Sequence, residues 1–300
     1  MCRLLALPPG ATPAEAYAAI VTLEGSNKDG VGVGYWRNDG TAAITKYPEA
    51  VSEVIKKKLP LFDHMPHDGW TVAHTRFGTH GENTYENTHP FLIGDYIFAH
   101  NGVFNEALYC RIALNGLVQF KGDTDSEVAG WLLNKYGPER FTKLITTGGV
   151  YFGLHKSGEL HIVKSNCTSD LELAACDDDD NAAAPEGQVV IASEIDWEYQ
   201  TRKRECNTGL FKFDKSGFII SSAGTSEPWK PQSYTRYRGD NDTGYGCGTA
   251  PFINGRLFAE ESYCKDKGTG GVKKILESGK KLGLWNLDPE DYVVSLIDGK

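Results

Sequence analysis

Cys2 carries two groups that could act together in one reaction. If Met1 is removed, the cysteine gains a free α-amine. An α-amine titrates at about pH 7.7–8.0 and a free thiol at about pH 8.5, so near neutral pH the amine can accept the thiol proton. One residue would then supply both a nucleophile and its general base. On its own this is weak evidence, since many chains begin with Met-Cys by chance.

Several polar motifs follow Cys2 in order. Residues 74–90 read His-Thr-Arg-Phe-Gly-Thr-His-Gly-Glu-Asn-Thr-Tyr-Glu-Asn-Thr-His-Pro, and the sequences His-Asn-Gly (100–102) and Asp-Thr-Asp-Ser-Glu (123–127) come next. Residues 29–32, Asp-Gly-Val-Gly, and 192–194, Ala-Ser-Glu, are weaker motifs. Together they resemble the class II glutamine amidotransferase domain, an N-terminal-nucleophile hydrolase of the stand-alone type. The resemblance covers about residues 2–222. It departs at Phe77 and Gly78, where many members carry Trp and Ala.

This resemblance implies an enzyme with an α+β fold, the four-layer αββα sandwich of two antiparallel sheets. It implies no cofactor and no metal. The implied roles are Cys2 as nucleophile and α-amine base, and Asn101 and Gly102 as the oxyanion hole. The implied substrate-binding residues are Arg76, Thr79, His80 and Asp125, and the implied loop-orienting residues near the site are His89 and His100.

The residue types also suit glutamine chemically. Arg76 can hold an α-carboxylate with a two-pronged guanidinium, and Asp125 can take the α-ammonium. The Asn101 side chain and the Gly102 backbone N–H are two donors that could meet the oxyanion formed when Cys2 attacks the amide carbon. Glycine at position 102 lets the backbone approach closely.

Each residue also has a structural interpretation. Arg76 could form a surface ion pair, and Asp125 could cap a helix that has Glu127 in its first turn. Asn101-Gly102 is a common hairpin turn. The histidines match no compact zinc signature, and the chain has no Cys-x-x-Cys motif.

Composition limits the class of protein. With 300 residues and 40% hydrophobic content, the chain can form one large core, and its net charge of −9 argues against general nucleic-acid binding. We expect neither a membrane span nor a signal peptide. The seven scattered cysteines suit reduced thiols, so we expect a cytoplasmic protein.

Apolar periodicity and turn signals predict the order of elements. The residues 38–40, Asn-Asp-Gly, predict a hairpin turn. The predicted strands are 3–7, 31–37, 41–47, 70–76, 95–100, 150–155, 159–164, 189–193, 210–213, 218–221 and 292–297. The predicted helices are 14–23, 50–59, 126–136 and 271–282.

We divide the chain into an amidotransferase-like domain (residues 2–225) and a linker with a small extension (226–300) of unknown role. Residues 177–180, four aspartates, predict a surface loop. The tail contains no Gly-x-x-x-x-Gly-Lys-Ser/Thr loop for nucleotide phosphates, so we expect any acceptor of ammonia to be an enzyme on another chain. Two alternatives stay open. One is a γ-glutamyl amidohydrolase acting on another small metabolite, and the other is a silent module that binds glutamine or a partner protein.

Overall fold

Two antiparallel β-sheets form the centre of the molecule. The computed structural model describes residues 2–79, 81–104, 107, 110–111, 114, 116–145, 149–165, 171–175, 189–193, 203–205, 208–224, 252–253 and 256–257. Within these residues the sheets contain seven and six strands, and a separate two-stranded ribbon is also present. The predicted elements 271–282 and 292–297, the aspartate loop and the greater part of residues 226–300 lie outside the described residues.

The seven-stranded sheet, called sheet A, holds β1 at its centre. Its strands are β1 (Arg3–Leu7), β2 (Val31–Trp36), β3 (Ala42–Tyr47), β4 (Thr71–Thr75), β9 (Glu172–Ala175), β10 (Val189–Ala192) and β11 (Lys203–Glu205). Their order across the sheet is β11-β9-β10-β1-β4-β2-β3, with antiparallel pairing throughout. The first strand of the chain is therefore flanked by a neighbour close in sequence, β4, and a distant one, β10.

The six-stranded sheet, called sheet B, is antiparallel as well. Its strands are β5 (Phe91–Ile93), β6 (Tyr96–Gly102), β7 (Gly149–His155), β8 (Leu160–Lys164), β12 (Gly209–Phe213) and β13 (Ile219–Gly224). Their order is β13-β12-β8-β7-β6-β5. The separate ribbon pairs β14 (Phe252–Ile253) with β15 (Arg256–Leu257).

Local sequence explains where the helices start and stop. Helix α1 (Pro13–Glu24) begins at a capping box in which Thr12 and Glu15 bond each other's backbone N–H. Helix α2 (Val51–Lys56) is shorter than predicted, because Lys58 adopts the left-handed conformation with φ 54° and ends it. Helix α3 (Asp125–Leu144) runs past its predicted end, since the chain breaks only locally at Gly137 and a second helical segment starts at Pro138.

Three apolar clusters separate four layers of structure. Helices α1 and α2 pack on the outer face of sheet A, around Ile20, Val33 and Val54. Helix α3 packs on the outer face of sheet B, around Phe98 and Leu132. The third cluster lies between the two sheets; its members include Leu4, Val72, Ile97, Phe152 and Ile162. This arrangement is a layered α+β sandwich, and it confirms the predicted fold class.

Most predicted strands are present within one or two residues of their expected bounds, and the hairpin turn ending at Gly40 (φ 78°) is confirmed. Five short strands, β5, β9, β11, β14 and β15, are not predicted from the sequence. The hairpin interpretation of Asn101-Gly102 is wrong, because these residues end β6 and pair with Val150 and Gly149 of β7. No helix in the described part of the chain is long and apolar enough to cross a membrane.

Candidate active site

Antiparallel pairing places Cys2 and Arg76, two of the predicted site residues, at one end of sheet A. Arg3 at the start of β1 lies opposite Thr75 at the end of β4, and Thr75 also lies opposite Val31 at the start of β2. Cys2, Arg76 and the Asp29 turn therefore continue from three strand ends that are adjacent in space, although they are up to 74 positions apart in sequence.

The Cys2 side chain is partly exposed and contacts the backbone of Phe77. The Phe77 N–H donates to Sγ at 3.3 Å, and Sγ lies 3.6 Å from the Phe77 carbonyl oxygen. Burial raises the pKa of the Cys2 thiol, the Phe77 N–H and the Arg76 guanidinium act to lower that pKa, and the Asp125 carboxylate acts to raise it. The thiol is thus within electrostatic reach of both charged groups predicted to hold the substrate.

Arg76 is buried, with 2% of its surface exposed. Its Nη1 donates to Oδ1 of Asn83, and its Nη2 donates to the Gly81 carbonyl at 3.1 Å. Its backbone N–H donates to the Gly30 carbonyl at 2.7 Å, and its own carbonyl accepts the Asp29 N–H at 3.0 Å. A surface ion pair is therefore the wrong interpretation of this residue.

Asn101 reaches the end of sheet A from sheet B through Ser193. Asn101 Nδ2 donates to Ser193 Oγ at 3.4 Å, and the Leu4 N–H donates to the same oxygen at 2.9 Å. Asn101 is 1% exposed, and Ser193 follows β10 directly. A single hydroxyl thus joins the strand that follows Cys2 to the predicted oxyanion-hole side chain.

Glycine is required opposite the predicted oxyanion hole. A Cβ on Gly149 would lie 2.1 Å from the Asn101 carbonyl oxygen and 2.8 Å from the Gly102 Cα, closer than real Cβ atoms approach. The φ of Gly149 is +142° and that of Gly102 is +148°, both strained for other residues. The close approach of β7 to β6 fixes the position of the two predicted donors.

Asp125 is the first residue of α3 and is not its cap. Thr124 is the N-cap, and its Oγ1 accepts the Glu127 N–H at 3.3 Å, so the prediction that Asp125 caps the helix is wrong. Asp125 Oδ2 accepts the Phe104 N–H at 2.7 Å, and its Oδ1 accepts the Ser126 N–H at 2.9 Å. These bonds fix the carboxylate beside the segment that follows Gly102.

Three buried histidines lie next to the site. His74 Nε2 donates to the His100 carbonyl at 3.2 Å, and the His74 and His89 rings stack at 4.1 Å. His100 Nδ1 is 3.0 Å from Ser126 Oγ, and its ring stacks on Tyr151 at 4.3 Å. Burial lowers the pKa of His74 to about 3 and holds that of His89 well below its usual value. Near neutral pH both rings are uncharged, which suits packing and orientation rather than charge donation.

The other two predicted substrate-binding residues are Thr79 and His80. Thr79 is exposed on the loop after Arg76, and His80 lies outside the described residues. Within the described ranges no group of three or more His, Cys, Asp or Glu side chains is arranged to hold a metal ion. Three residues with clear contacts received no role from the sequence: Asp29, Asn83 and Ser193. A signal was present for Ser193, since it is a polar residue directly after a buried strand.

Comparison with known proteins places this geometry in a family. Residues 1–148 match the model of class II glutamine amidotransferases. The glutamine–fructose-6-phosphate aminotransferase of Streptococcus pyogenes is 37% identical over 70 residues, which are 23% of this chain and 12% of that protein. The Staphylococcus epidermidis aminotransferase of the same name is 28% identical over 181 residues, or 57% of this chain and 28% of that protein. The matches thus span under a third of these relatives.

Solved structures agree on the fold. The glutamine phosphoribosylpyrophosphate amidotransferase of B. subtilis superposes with a TM-score of 0.60 at 18% identity, covering 76% of this chain and 50% of that one. A class II glutamine aminotransferase domain protein from Silicibacter pomeroyi gives a TM-score of 0.50 at 15% identity, covering 75% of this chain and all of that one.

The two facing antiparallel sheets thus share the fold of these solved amidotransferase structures. Residues 1–148, about half of the chain, carry a class II glutamine amidotransferase domain, which belongs to a family of enzymes. The predicted family and the prediction of an enzyme are both confirmed.

Proposed function

We propose that this chain hydrolyses the side-chain amide of glutamine with Cys2 as the nucleophile, after the residue before it has been removed. The observation that carries the proposal is the position of the thiol. Sγ accepts the Phe77 N–H and lies within electrostatic reach of one cation, Arg76, and one anion, Asp125. Glutamine carries an α-carboxylate that matches Arg76 and an α-ammonium that matches Asp125, and its side-chain amide is neutral.

Each step of the proposed reaction has a group to perform it. The Cys2 thiol gives its proton to the α-amine, and Sγ bonds to the amide carbon of glutamine. Asn101 Nδ2 and the Gly102 N–H stabilise the resulting oxyanion. The carbon–nitrogen bond then breaks, the α-amine returns the proton to the departing ammonia, and water hydrolyses the γ-glutamyl thioester to glutamate and free thiol.

Substrate recognition is divided between the end of sheet A and the start of helix α3. Arg76 would bind the α-carboxylate and Asp125 the α-ammonium, with Thr79 and His80 completing the pocket and His89 and His100 supporting it. We propose that the ammonia passes to an acceptor enzyme on a separate chain, in the cytoplasm. The relatives named above are glutamine–fructose-6-phosphate aminotransferases, whose name pairs glutamine with an acceptor, and the region matched here is only 12–28% of their length.

A labelling experiment tests the nucleophile. The purified protein is analysed by intact mass for loss of residue 1 and then treated with a diazo-ketone analogue of glutamine. We expect one adduct, on Cys2, with protection by excess glutamine. Cys2→Ala should abolish both the adduct and ammonia release. The matched control is Cys110→Ala, which changes a buried cysteine of the described residues and should leave both unchanged.

Each other result favours a different interpretation. Full activity with Met1 still in place would overturn the role of the α-amine. Labelling at Cys2 without protection by glutamine would favour the γ-glutamyl amidohydrolase, because Arg76 and Asp125 read only the part of the substrate common to both. No adduct at Cys2 would favour the silent binding module.

A further inference from the structure

Arg76 is connected to Asp29 through the side chain of Asn83. Asn83 Oδ1 accepts from Arg76 Nη1, and Asn83 Nδ2 donates to Asp29 Oδ1 at 3.1 Å. The second Asp29 oxygen, Oδ2, accepts the Gly78 N–H at 2.7 Å. The Asp29 carboxylate therefore binds the backbone at Gly78. Through the Asn83 amide it also sets the position of the Arg76 guanidinium.

The Asp29 end of this connection is fixed by the backbone. The Asp29 N–H donates to the Arg76 carbonyl at 3.0 Å, and the Arg76 N–H donates to the Gly30 carbonyl at 2.7 Å. The turn before β2 and the residue after β4 are thus joined by two backbone bonds that extend the sheet pairing. The backbone therefore fixes the position of Asp29, and Asp29 in turn fixes the Asn83 side chain through a hydrogen bond.

Gly78 is matched to this arrangement. A Cβ at position 78 would lie 2.9 Å from Arg76 Nη1 and 3.1 Å from Asn83 Oδ1, so a side chain there would press on the hydrogen bond between them. The glycine supplies space and not a special backbone conformation, because its φ lies outside the left-handed range. Gly78, Gly81 and Asn83 thus all lie against the Arg76 guanidinium.

We propose that Asn83 and Asp29 are positioning residues, which orient the Arg76 guanidinium for the α-carboxylate of the substrate. The inference rests on the proposed role of Arg76 in substrate binding. A free arginine side chain has many rotamers, and ordering them when the ligand binds weakens affinity. Asn83 fixes one orientation in advance, and Asp29 fixes the Asn83 amide with Nδ2 toward the carboxylate and Oδ1 toward the arginine.

Exchanging the two side chains tests this directly. In Asp29→Asn a single amide oxygen faces two donors, the Gly78 N–H and Asn83 Nδ2, so one of these contacts is lost, and in Asn83→Asp two carboxylates face each other. In the double variant, Asp29→Asn with Asn83→Asp, the amide at 29 donates to the carboxylate at 83, which still accepts from Arg76, and net charge is unchanged. We expect each single variant to raise the KM for glutamine at least about tenfold with little change in kcat, and the double variant to recover most of it.

Two further variants control for general damage. Asp39→Asn makes the same chemical change at the other end of β2, where Asp39 accepts the Thr41 N–H at 2.9 Å, and should leave KM unchanged. Asn83→Ala introduces no charge and should raise KM as well. If a single exchange variant fails to fold, Asn83→Ala and the double variant carry the test. In all variants the rate at which iodoacetamide alkylates Cys2 should stay near wild type, since that probe has no carboxylate.

Arg76→Lys separates this inference from the proposed function. If Arg76→Lys leaves the KM for glutamine unchanged, the proposed role of Arg76 is wrong. If Arg76→Lys raises KM but Asn83→Ala and the single exchange variants do not, or the double variant recovers nothing, the positioning role is overturned and the proposed function stands. A fall in kcat and in the alkylation rate in parallel with KM would also overturn it, because that pattern indicates general disruption of the loop.

Discussion

The two sheets hold their parts of the site in different ways. On sheet B, Asn101 and Gly102 are inside β6, paired with β7, and the close approach of Gly149 fixes their backbone. On sheet A, Arg76 lies one residue past β4 and is held by side-chain and loop contacts to Asn83 and Gly81. A strand pair fixes the predicted oxyanion hole, and a hydrogen-bonded loop fixes the predicted substrate clamp.

This difference predicts that mutations in the two regions have different effects on stability, turnover and substrate binding. A change in the β6–β7 pairing displaces backbone, so it should affect stability and turnover together. A change in the loop alters the orientation of one side chain, so it should affect binding first. The predictions below test that division, from the largest expected effect to the smallest.

Gly149→Ala should be the most damaging of these changes. The added methyl would overlap the Asn101 carbonyl, and relief requires β7 to move away from β6. We expect a loss of stability of several kcal/mol, more than the 1–2 kcal/mol typical of a strained backbone alone, together with loss of ammonia release. Urea unfolding and an ammonia assay measure the two effects.

Gly40→Ala is the matched control for backbone strain. Gly40 has a φ of +78°, and a Cβ there would meet nothing within 4 Å. This variant should lose only the strain contribution, about 1–2 kcal/mol, and keep its activity. Equal losses in Gly40→Ala and Gly149→Ala would show that the close approach to β6 does not matter.

Asn101→Ala should lower turnover with a smaller effect on binding. Its donor acts on charge that develops only in the transition state, so kcat should fall about 10²–10³-fold while KM changes little. Steady-state ammonia release at varied glutamine measures both constants. A rise in KM at unchanged kcat would instead assign Asn101 to ground-state binding, and the contrast between the two sheets would fail.

The third prediction concerns His74, which bonds β4 of sheet A to β6 of sheet B. Burial lowers the pKa of His74 to about 3, while an unfolded histidine titrates at about 6.5. Below pH 6.5 the unfolded chain therefore binds a proton that the folded chain does not. Stability is unaffected above that pH and falls between about pH 6.5 and 3, by at most about 1.4 kcal/mol per pH unit for this group.

Urea unfolding at pH 7.5, 6.0 and 5.0 measures this slope. His74→Gln removes the titrating group and should flatten the curve, whereas the same change at the exposed His64 should not. His89, whose pKa burial also lowers, contributes in the same direction, so the slope should decrease without vanishing. An unchanged slope in His74→Gln would mean that His74 does not remain neutral in the folded state.

The sequence allows the proximity of two polar residues to be predicted where each lies next to the end of a recognisable strand. Arg76 and Cys2 adjoin segments whose apolar pattern identifies them as strands, so their convergence follows from antiparallel pairing. Asn101-Gly102 is ambiguous in the sequence, because Asn-Gly is common in hairpin turns. In this structure the dipeptide forms the end of strand β6. The turn interpretation depends on local sequence, and the pairing with β7 is made by residues about 48 positions away.

The contacts that the sequence did not reveal join distant polar side chains. Asn83 is one of several polar residues in a glycine-containing loop, and nothing in its neighbours distinguishes it as the partner of Arg76. Thr124 and Asp125 are both good capping residues, and the structure selects the first because Asp125 accepts the Phe104 N–H instead. Such choices depend on tertiary geometry, which short-range propensity does not contain.

The central place of β1 in sheet A also determines when, during translation, the chain around Cys2 can become fully paired. β1 pairs with β4 on one side and with β10, residues 189–192, on the other. Its second neighbour therefore does not exist until translation has passed Ser193, whose hydroxyl binds the Leu4 N–H. At about 5–20 residues per second this takes roughly 10–40 seconds. Throughout that interval the first residues of the chain lack their full set of partners, and an enzyme that trims Met1 would meet an N-terminus not yet enclosed by the fold.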